Sequence, residues 1–321
     1  MMRGFLVVAA LGTVMFGGLA SAQTMEKVKV ATSFVGLWDT SQPNFCKDRG
    51  EFAKAGLDVE VTSTRGGSEN VQAVIAGGMD IGYSPGINAA MAAYARGSKI
   101  KIVGSEFKGQ NDTFFFVPAD SPIKTIDDIK GKSVAFPRPG GASEALLISL
   151  KKDRNIDFKT VATGGLDATF TMAMTKQVDV GYAFPPSVLD SVESGKVRIV
   201  FSGDDVPSQR ALTGRVNIAS VNFLQNRRPV AVKFFELLDR CIDWAYRNLD
   251  ESAKWYAALN RVSPSVGAKA LTFYKRDMLV FGPVSGMTEV MTAAVEGNFL
   301  EKPLTAEQIR DMTDIVFTTG K

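Results

Sequence analysis

The chain has 321 residues, 37 basic and 34 acidic side chains and a formal net charge of +3. With no basic block alternating with aromatics, that balance excludes a nucleic-acid footprint, and the length asks for more than one small core. There is no histidine. The commonest general acid–base and the commonest metal ligand are therefore missing, and Ser–His or Cys–His nucleophile pairs are impossible. No catalytic residue, cofactor or metal site is expected.

Residues 1–22 read as an export signal. Arg3 supplies the positive start, Phe5 to Phe16 an apolar run, and Ala20-Ser21-Ala22 an A-x-A cleavage site. The run is shorter than the ~20 residues a membrane span needs. A mature chain starting at Gln23 in the periplasm is expected, acting as a monomer.

Val28–Thr32 alternates like a strand. After the loop Phe34–Asp39, Thr40 or Ser41 can cap a helix over Asn44–Ala55 that stops at Gly56. Leu57–Val61 is a second strand, Ser68–Ala76 a helix, Asp80–Tyr83 a third strand, Ile87–Ala95 a helix and Ile100–Val103 a fourth strand. Short β-α-β-α connections indicate a mostly parallel, doubly wound sheet. The run Thr113–Val117 is strongly β-forming. Thr125 caps a short helix, Ser133–Phe136 is a strand, and Glu144–Lys152 is a helix. Val197–Phe201 is a strand, Gly203–Gln209 a polar surface loop, and Arg215–Ala219 a strand returning to the first lobe. After Pro229 comes a long amphipathic helix, with Val230, Phe234, Leu237, Leu238, Cys241, Trp244 and Ala245 on one face. Helices capped at Asp250, Ser263 and Thr305 complete the chain. The boundaries expected are 23–113 with 216–321 for lobe 1 and 114–215 for lobe 2.

One stretch occurs twice. Gly66-Gly67-Ser68-Glu69, an apolar run and Asp80-Ile81-Gly82-Tyr83-Ser84-Pro85 match Gly164-Gly165-Leu166-Asp167, a similar run and Asp179-Val180-Gly181-Tyr182-Ala183-Phe184-Pro185. Aligning the glycine pairs puts one or two inserted residues between the copies and sets Leu166 against Ser68. Cys46 sits in the first helical pattern and Cys241 on the stripe of the late helix. They read as two separate buried thiols, with an oxidised pair as the alternative an exported chain permits.

Gly56-Leu57-Asp58-Val59-Glu60-Val61, Gly66-Gly67-Ser68, Ala76-Gly77-Gly78-Met79-Asp80-Ile81-Gly82, Asp120-Ser121-Pro122-Ile123, Ile129–Ala135 and Asp179-Val180-Gly181 recur in order along nearly the whole chain behind the signal. Together they resemble the periplasmic solute-binding proteins of ABC importers in the nitrate/sulfonate/taurine group, relatives of thiamine-pyrimidine precursor-binding proteins. The resemblance implies an α/β, two-lobed periplasmic-binding-protein fold, each lobe a doubly wound, mostly parallel sheet, joined by two crossing strands that act as a hinge. It also implies a ligand in the cleft between the lobes and an ABC permease as partner. The pyrimidine-synthase branch of the wider family needs a histidine and a cysteine-rich signature, and neither is present.

Helix N-termini at strand ends offer unpaired N–H groups and about half a positive charge, which suits sulfonate, nitrate or carboxylate without a buried cation. The ligand-binding residues expected are Gly67, Ser68, Ser84, Gly86, Gly141, Ala142 and Ser143 as the anion cradle. Phe34, Trp38, Tyr182 and Phe184 are expected as walls, Trp38 foremost as an exposed-loop aromatic, and Asp39 as a partner for an amine. Glu106 and Asp167 are alternative amine partners. Arg65 and Arg138 lie beside glycine-rich loops and could pair with the anion, although a solvated surface charge is the favoured role for either. A small organic anion is the expected ligand. A thiamine-pyrimidine-like heterocycle as ligand, and a membrane sensor as partner, stay open.

Overall fold

The computed structural model describes residues 25–320. The export signal expected over residues 1–22 and the mature terminus expected at Gln23 lie outside the described residues. Strand β1 (Glu26–Ser33) buries Val28 and Val30 by alternation and pairs in parallel with β2 (Leu57–Thr64), in register from Glu26–Leu57 to Ser33–Thr64. The helix expected between them is two pieces, α1 (Gln42–Asp48) and α2 (Glu51–Lys54). Gly50, at φ +73°, breaks the run where a side chain would be strained. Then come α3 (Gly67–Ile75), β3 (Ile81–Tyr83), α4 (Ile87–Ala95) and β4 (Ile100–Lys108).

Residues 109–113 cross to β5 (Phe114–Pro118). The second lobe continues through β6 (Ser133–Phe136), α5 (Ala142–Arg154), β7 (Lys159–Ala162), α6 (Leu166–Met174), β8 (Gly181–Ala183), α7 (Leu189–Glu193) and β9 (Val197–Ser202). Residues 203–212 cross back to β10 (Thr213–Ser220). Of these, Gly203–Gln209, expected as a polar surface loop, is two short 3-10 turns; Asp204, Pro207 and Ser208 are exposed as expected, but Val206 is fully buried in the second lobe's core.

The first sheet has the order β2-β1-β3-β10-β4, with β10 antiparallel to both neighbours. In the second, β5 lies antiparallel between β8 and β9. The parallel pair β6–β7 joins β8 through a parallel bridge between Val134 and Val180. The order β7-β6-β8-β5-β9 therefore repeats the first, and in each lobe the strand that arrives from the other lobe takes the antiparallel, next-to-edge place.

The C-terminal helices α8 (Val221–Arg247), α9 (Leu249–Asn260), α10 (Pro264–Leu271), α11 (Met287–Glu296) and α12 (Ala306–Met312) pack largely around the first sheet. Helix α8 starts before Pro229, where the sequence pattern places it. Ser220 caps it by accepting from the Phe223 N–H at 3.2 Å, and the backbone leaves helical geometry at Arg227 before resuming through Pro229.

Cys46 on α1 and Cys241 on α8 form a disulfide with Cα atoms 5.6 Å apart, which replaces the two separate thiols expected. Phe45 and Phe52 bring α1 and α2 onto the stripe of α8 that carries Cys241, and packing sets the spacing that sequence cannot show. Because the bridge closes a loop of 195 positions, replacing both cysteines by alanine is expected to lower the unfolding free energy by about 2–5 kcal/mol in urea titrations. An unchanged midpoint would mean that the bridge adds nothing to the fold.

Candidate functional site

The two copies of the repeat are built with the same contacts. The Thr64 hydroxyl lies 3.0 Å from the carbonyl oxygens of both Thr32 and Gly66, within reach of its one proton, and the Thr163 hydroxyl lies 3.2 and 3.0 Å from those of Phe136 and Gly165. Asp80 accepts from the Lys29 N–H at 2.9 Å, as Asp179 does from Ser133 at 2.8 Å. Asn70 and Thr169 each donate to the carbonyl of the following strand's tyrosine, Tyr83 and Tyr182. These contacts align Gly66 with Gly165 and Tyr83 with Tyr182 with no insertion between, so Leu166 stands opposite Gly67, not Ser68. Asp167 stands opposite Ser68, and Ala183 opposite Ser84.

The shift matters because Gly67 is where backbones converge. A Cβ there would lie 2.8 Å from the Gly86 nitrogen, and one on Gly86 would lie 3.0 Å from the Ala142 nitrogen. The starts of α3, α4 and α5 meet at these glycines. In the second copy, Leu166 packs against the second lobe's core instead, so that helix start contributes no open cradle.

Of the twelve residues expected from sequence, ten line one cleft between the lobes: Phe34, Gly67, Ser68, Ser84, Gly86, Gly141, Ala142, Ser143, Tyr182 and Phe184. No side chain caps α3 or α5, so their first-turn N–H groups keep their hydrogen-bonding capacity. The Tyr182 hydroxyl is buried with no hydrogen-bond partner. The Ser68 hydroxyl donates to the Pro139 carbonyl at 3.1 Å across the cleft, which is left as a narrow, partly open cavity of about 30 Å³. Phe34 faces Phe184 with ring centroids 5.9 Å apart. Phe34 and Ser84 both sit at φ +64°, a costly backbone for non-glycine residues that is often found at binding sites.

Two expected residues are elsewhere. Trp38 is fully buried. Its ring packs edge-on to Tyr256, and its indole N–H donates to the Tyr246 hydroxyl at 3.2 Å, so the aromatic loop residue belongs to the core. Asp39 lies beneath the cleft and is no free amine partner, because it is ion-paired. Asp167 stands on the exposed surface, as does Arg65, which pairs with Glu69. Arg138 differs from the solvated charge expected: it lines the cleft, and its Nε is buried without a partner.

Sequence reasoning missed Arg215, read only as part of a returning strand. It lines the cleft floor, so a buried cation is present after all. One terminal nitrogen donates to Asp39 at 2.5 Å, and the other donates to both oxygens of Asp112 at 2.6 and 2.5 Å. The guanidinium lies 4.3 Å from the Phe107 ring centroid and 5.5 Å from that of Phe184. Burial works against its charge, but Asp112 and Asp39 more than offset this and hold its pKa above the usual guanidinium value. Burial pushes Asp112 up to about 6, with Arg215 opposing and Asp39 adding to the rise. The only sequence signal was a charged residue in an otherwise alternating strand, Arg215-Val216-Asn217-Ile218-Ala219.

Two lobes of this repeated topology, joined around one cleft by two crossing segments that are turns and not the strands expected, define the periplasmic-binding-protein fold. The chain belongs to the NMT1/THI5-like family, whose model matches residues 45–252. A provisionally named binding protein of Brucella abortus is 25% identical over 291 residues, covering 85% of this chain and 88% of its own. Among solved structures, the periplasmic aliphatic sulphonate-binding protein SsuA of Escherichia coli superposes with a TM-score of 0.73 at 18% identity, over 92% of this chain and 94% of its own. The alkanesulfonate-binding SsuA of Xanthomonas axonopodis, solved bound to MOPS, gives 0.72 at 18% identity, over 88% of this chain and 97% of its own.

Arg215→Leu leaves Asp39 and Asp112 buried without their cation, a change that costs roughly 3–5 kcal/mol. Urea unfolding of that variant is expected to show a loss in this range. A loss below about 1 kcal/mol, the ordinary worth of an exposed pair, would mean that solvent reaches the floor.

Proposed function

We propose that the chain is the extracytoplasmic solute-binding component of an ABC import system and captures a small organic anion of the sulfonate or carboxylate type in the cleft. One observation carries the reading. The open N-termini of α3 and α5 converge with two buried, unpartnered donors, the Tyr182 hydroxyl and the Arg138 Nε. Buried donors without acceptors are costly, and an anionic head accepting from them removes that cost. Because Asp39 and Asp112 already neutralise Arg215, the helix termini, Arg138 and Tyr182 carry the attraction for the anion. The sulfonate-binding names of relatives with this fold, and a sulfonate-binding name on an Escherichia coli protein 29% identical over 142 residues, support the same ligand class.

The wall of Phe34, Leu37 and Phe184 receives the carbon-rich part of the ligand. Entry requires the Ser68–Pro139 contact to part, with bending at residues 109–113 and 203–212 as the hinge. A permease in the membrane then recognises the closed form. In this reading the chain works in the periplasm. No helix among the described residues is long and apolar enough to cross a membrane.

Titration calorimetry against alkanesulfonates, taurine, nitrate, aromatic carboxylates and pyrimidines tests the reading, and binding of at least one organic anion is expected. If folded protein binds none of them, the reading fails. Tyr182→Phe, which removes a donor to a charged acceptor worth about 1.5–3 kcal/mol, is expected to weaken every bound anion by roughly 10- to 150-fold. Phe184→Ala is expected to change which tail is preferred while leaving the head-group requirement intact.

A further inference from the structure

Glu106 on β4 is fully buried below Ser84, and nothing in the anion-binding reading uses it. The Ser84 hydroxyl lies 2.9 Å from Glu106 Oε2 and 3.0 Å from Asp39 Oδ2. A hydroxyl has one hydrogen and can donate to only one of two carboxylates, so the other contact is a hydrogen bond only if that carboxyl carries a proton. The two carboxyls are not equivalent. Asp39 Oδ2 also accepts from Arg215, an ionised donor. Glu106 touches no cation: its remaining partner is the Tyr83 hydroxyl, which donates to Oε1 at 3.4 Å.

We propose that Glu106 is a neutral carboxylic acid in the folded protein and a positioning residue of the cleft. Its O–H donates to Ser84 Oγ, and Ser84 then donates to Asp39 and steadies it against Arg215. The Oε1 carbonyl accepts from Tyr83, so every polar atom of the acid has a role. Ser84 is held from its other side by Asn217, whose side-chain oxygen accepts from the Ser84 N–H at 3.3 Å. With Glu106 ionised, four buried ionisable groups would comprise three carboxylates and one guanidinium, and Ser84 would have to abandon one contact. The groups facing Glu106 are Tyr83 from β3, Ser84 after it, Asp39 from the loop after β1, Asp112 from the crossing segment and Arg215 from β10, while Arg276 acts on Tyr83 from beyond. Burial and the charge of Asp39 raise the acid well above the ordinary carboxylate range, and Arg215 and Ser84 oppose them.

The positioning of Ser84, a cleft-lining residue, rests on the anion-binding reading; the proton does not. Difference infrared spectroscopy of the full chain against Glu106→Gln, without ligand at pH 7, is expected to show a carboxylic-acid carbonyl band in the wild type that the variant lacks. Absence of that band overturns the proposal, whether or not any anion binds. The side-chain amide introduced by Glu106→Gln can donate to Ser84 and accept from Tyr83, whereas the leucine of Glu106→Leu can do neither. Calorimetry with ethanesulfonate is therefore expected to show Glu106→Leu binding at least about tenfold more weakly than Glu106→Gln. Equal losses in the two variants would remove the positioning role. If Glu106→Leu does not fold, the melting temperature against pH decides. A raised folded pKa stabilises most below the unfolded value and loses that stabilisation as pH rises through the folded one. The wild type is thus expected to lose stability relative to Glu106→Gln as pH climbs above the ordinary glutamate value, where the unfolded chain gives up the proton and the folded one keeps it, and parallel curves would contradict the proposal.

Discussion

The base of the cleft depends on one buried guanidinium held between carboxylates from distant parts of the chain. Arg215 enters on the returning strand, Asp112 on the outgoing crossing segment, and Asp39 on the loop after the first strand. Such a cluster adds little net stability over an apolar equivalent, yet it is expensive to break. Its value here is positional. It ties both passages between the lobes to the loop that carries Phe34, and it brings the guanidinium against Phe184 of the second lobe. Glycines can then let three helix starts converge above it without clash.

The internal repeat explains why the two lobes are alike in frame and unlike in chemistry. The threonine, glycine and aspartate contacts that set each helix on its sheet are shared by the two copies. Gly67 against Leu166 is where they part. The glycine leaves room at the helix start, and the leucine fills the corresponding place with carbon. The second lobe supplies Tyr182 and Phe184 from its matching strand end and turn, and its share of the cradle comes from a different helix, α5.

Much of this was legible in the sequence because it is written in local pattern. Alternating strands, glycine-ended helices and short connections led to a doubly wound α/β sheet, the family resemblance implied two lobes, and glycine–serine loops with the aromatics beside them led to ten residues that the structure gathers in one cleft. What could not be read depends on packing between distant segments. Trp38 stands in a loop by local pattern, but Tyr246 and Tyr256 from the C-terminal helices bury it. The Cys46–Cys241 bridge needs α1 and α8 brought side by side. Arg215 reads only as the start of a returning strand because its partners lie 176 and 103 positions away. The repeat is visible in the sequence but its register is not: pairing the glycines sets Leu166 against Ser68, whereas the hydrogen bonds before α3 and α6 set Gly66 against Gly165.

A crystal structure of the protein with an alkanesulfonate bound would test the central claim most directly. The sulfonate oxygens are expected within hydrogen-bond distance of the first-turn N–H groups of α3 and α5 and of the Tyr182 hydroxyl, with the carbon chain against Phe34 and Phe184. A sulfonate placed against the aromatic wall, or bound outside the cleft, would contradict it.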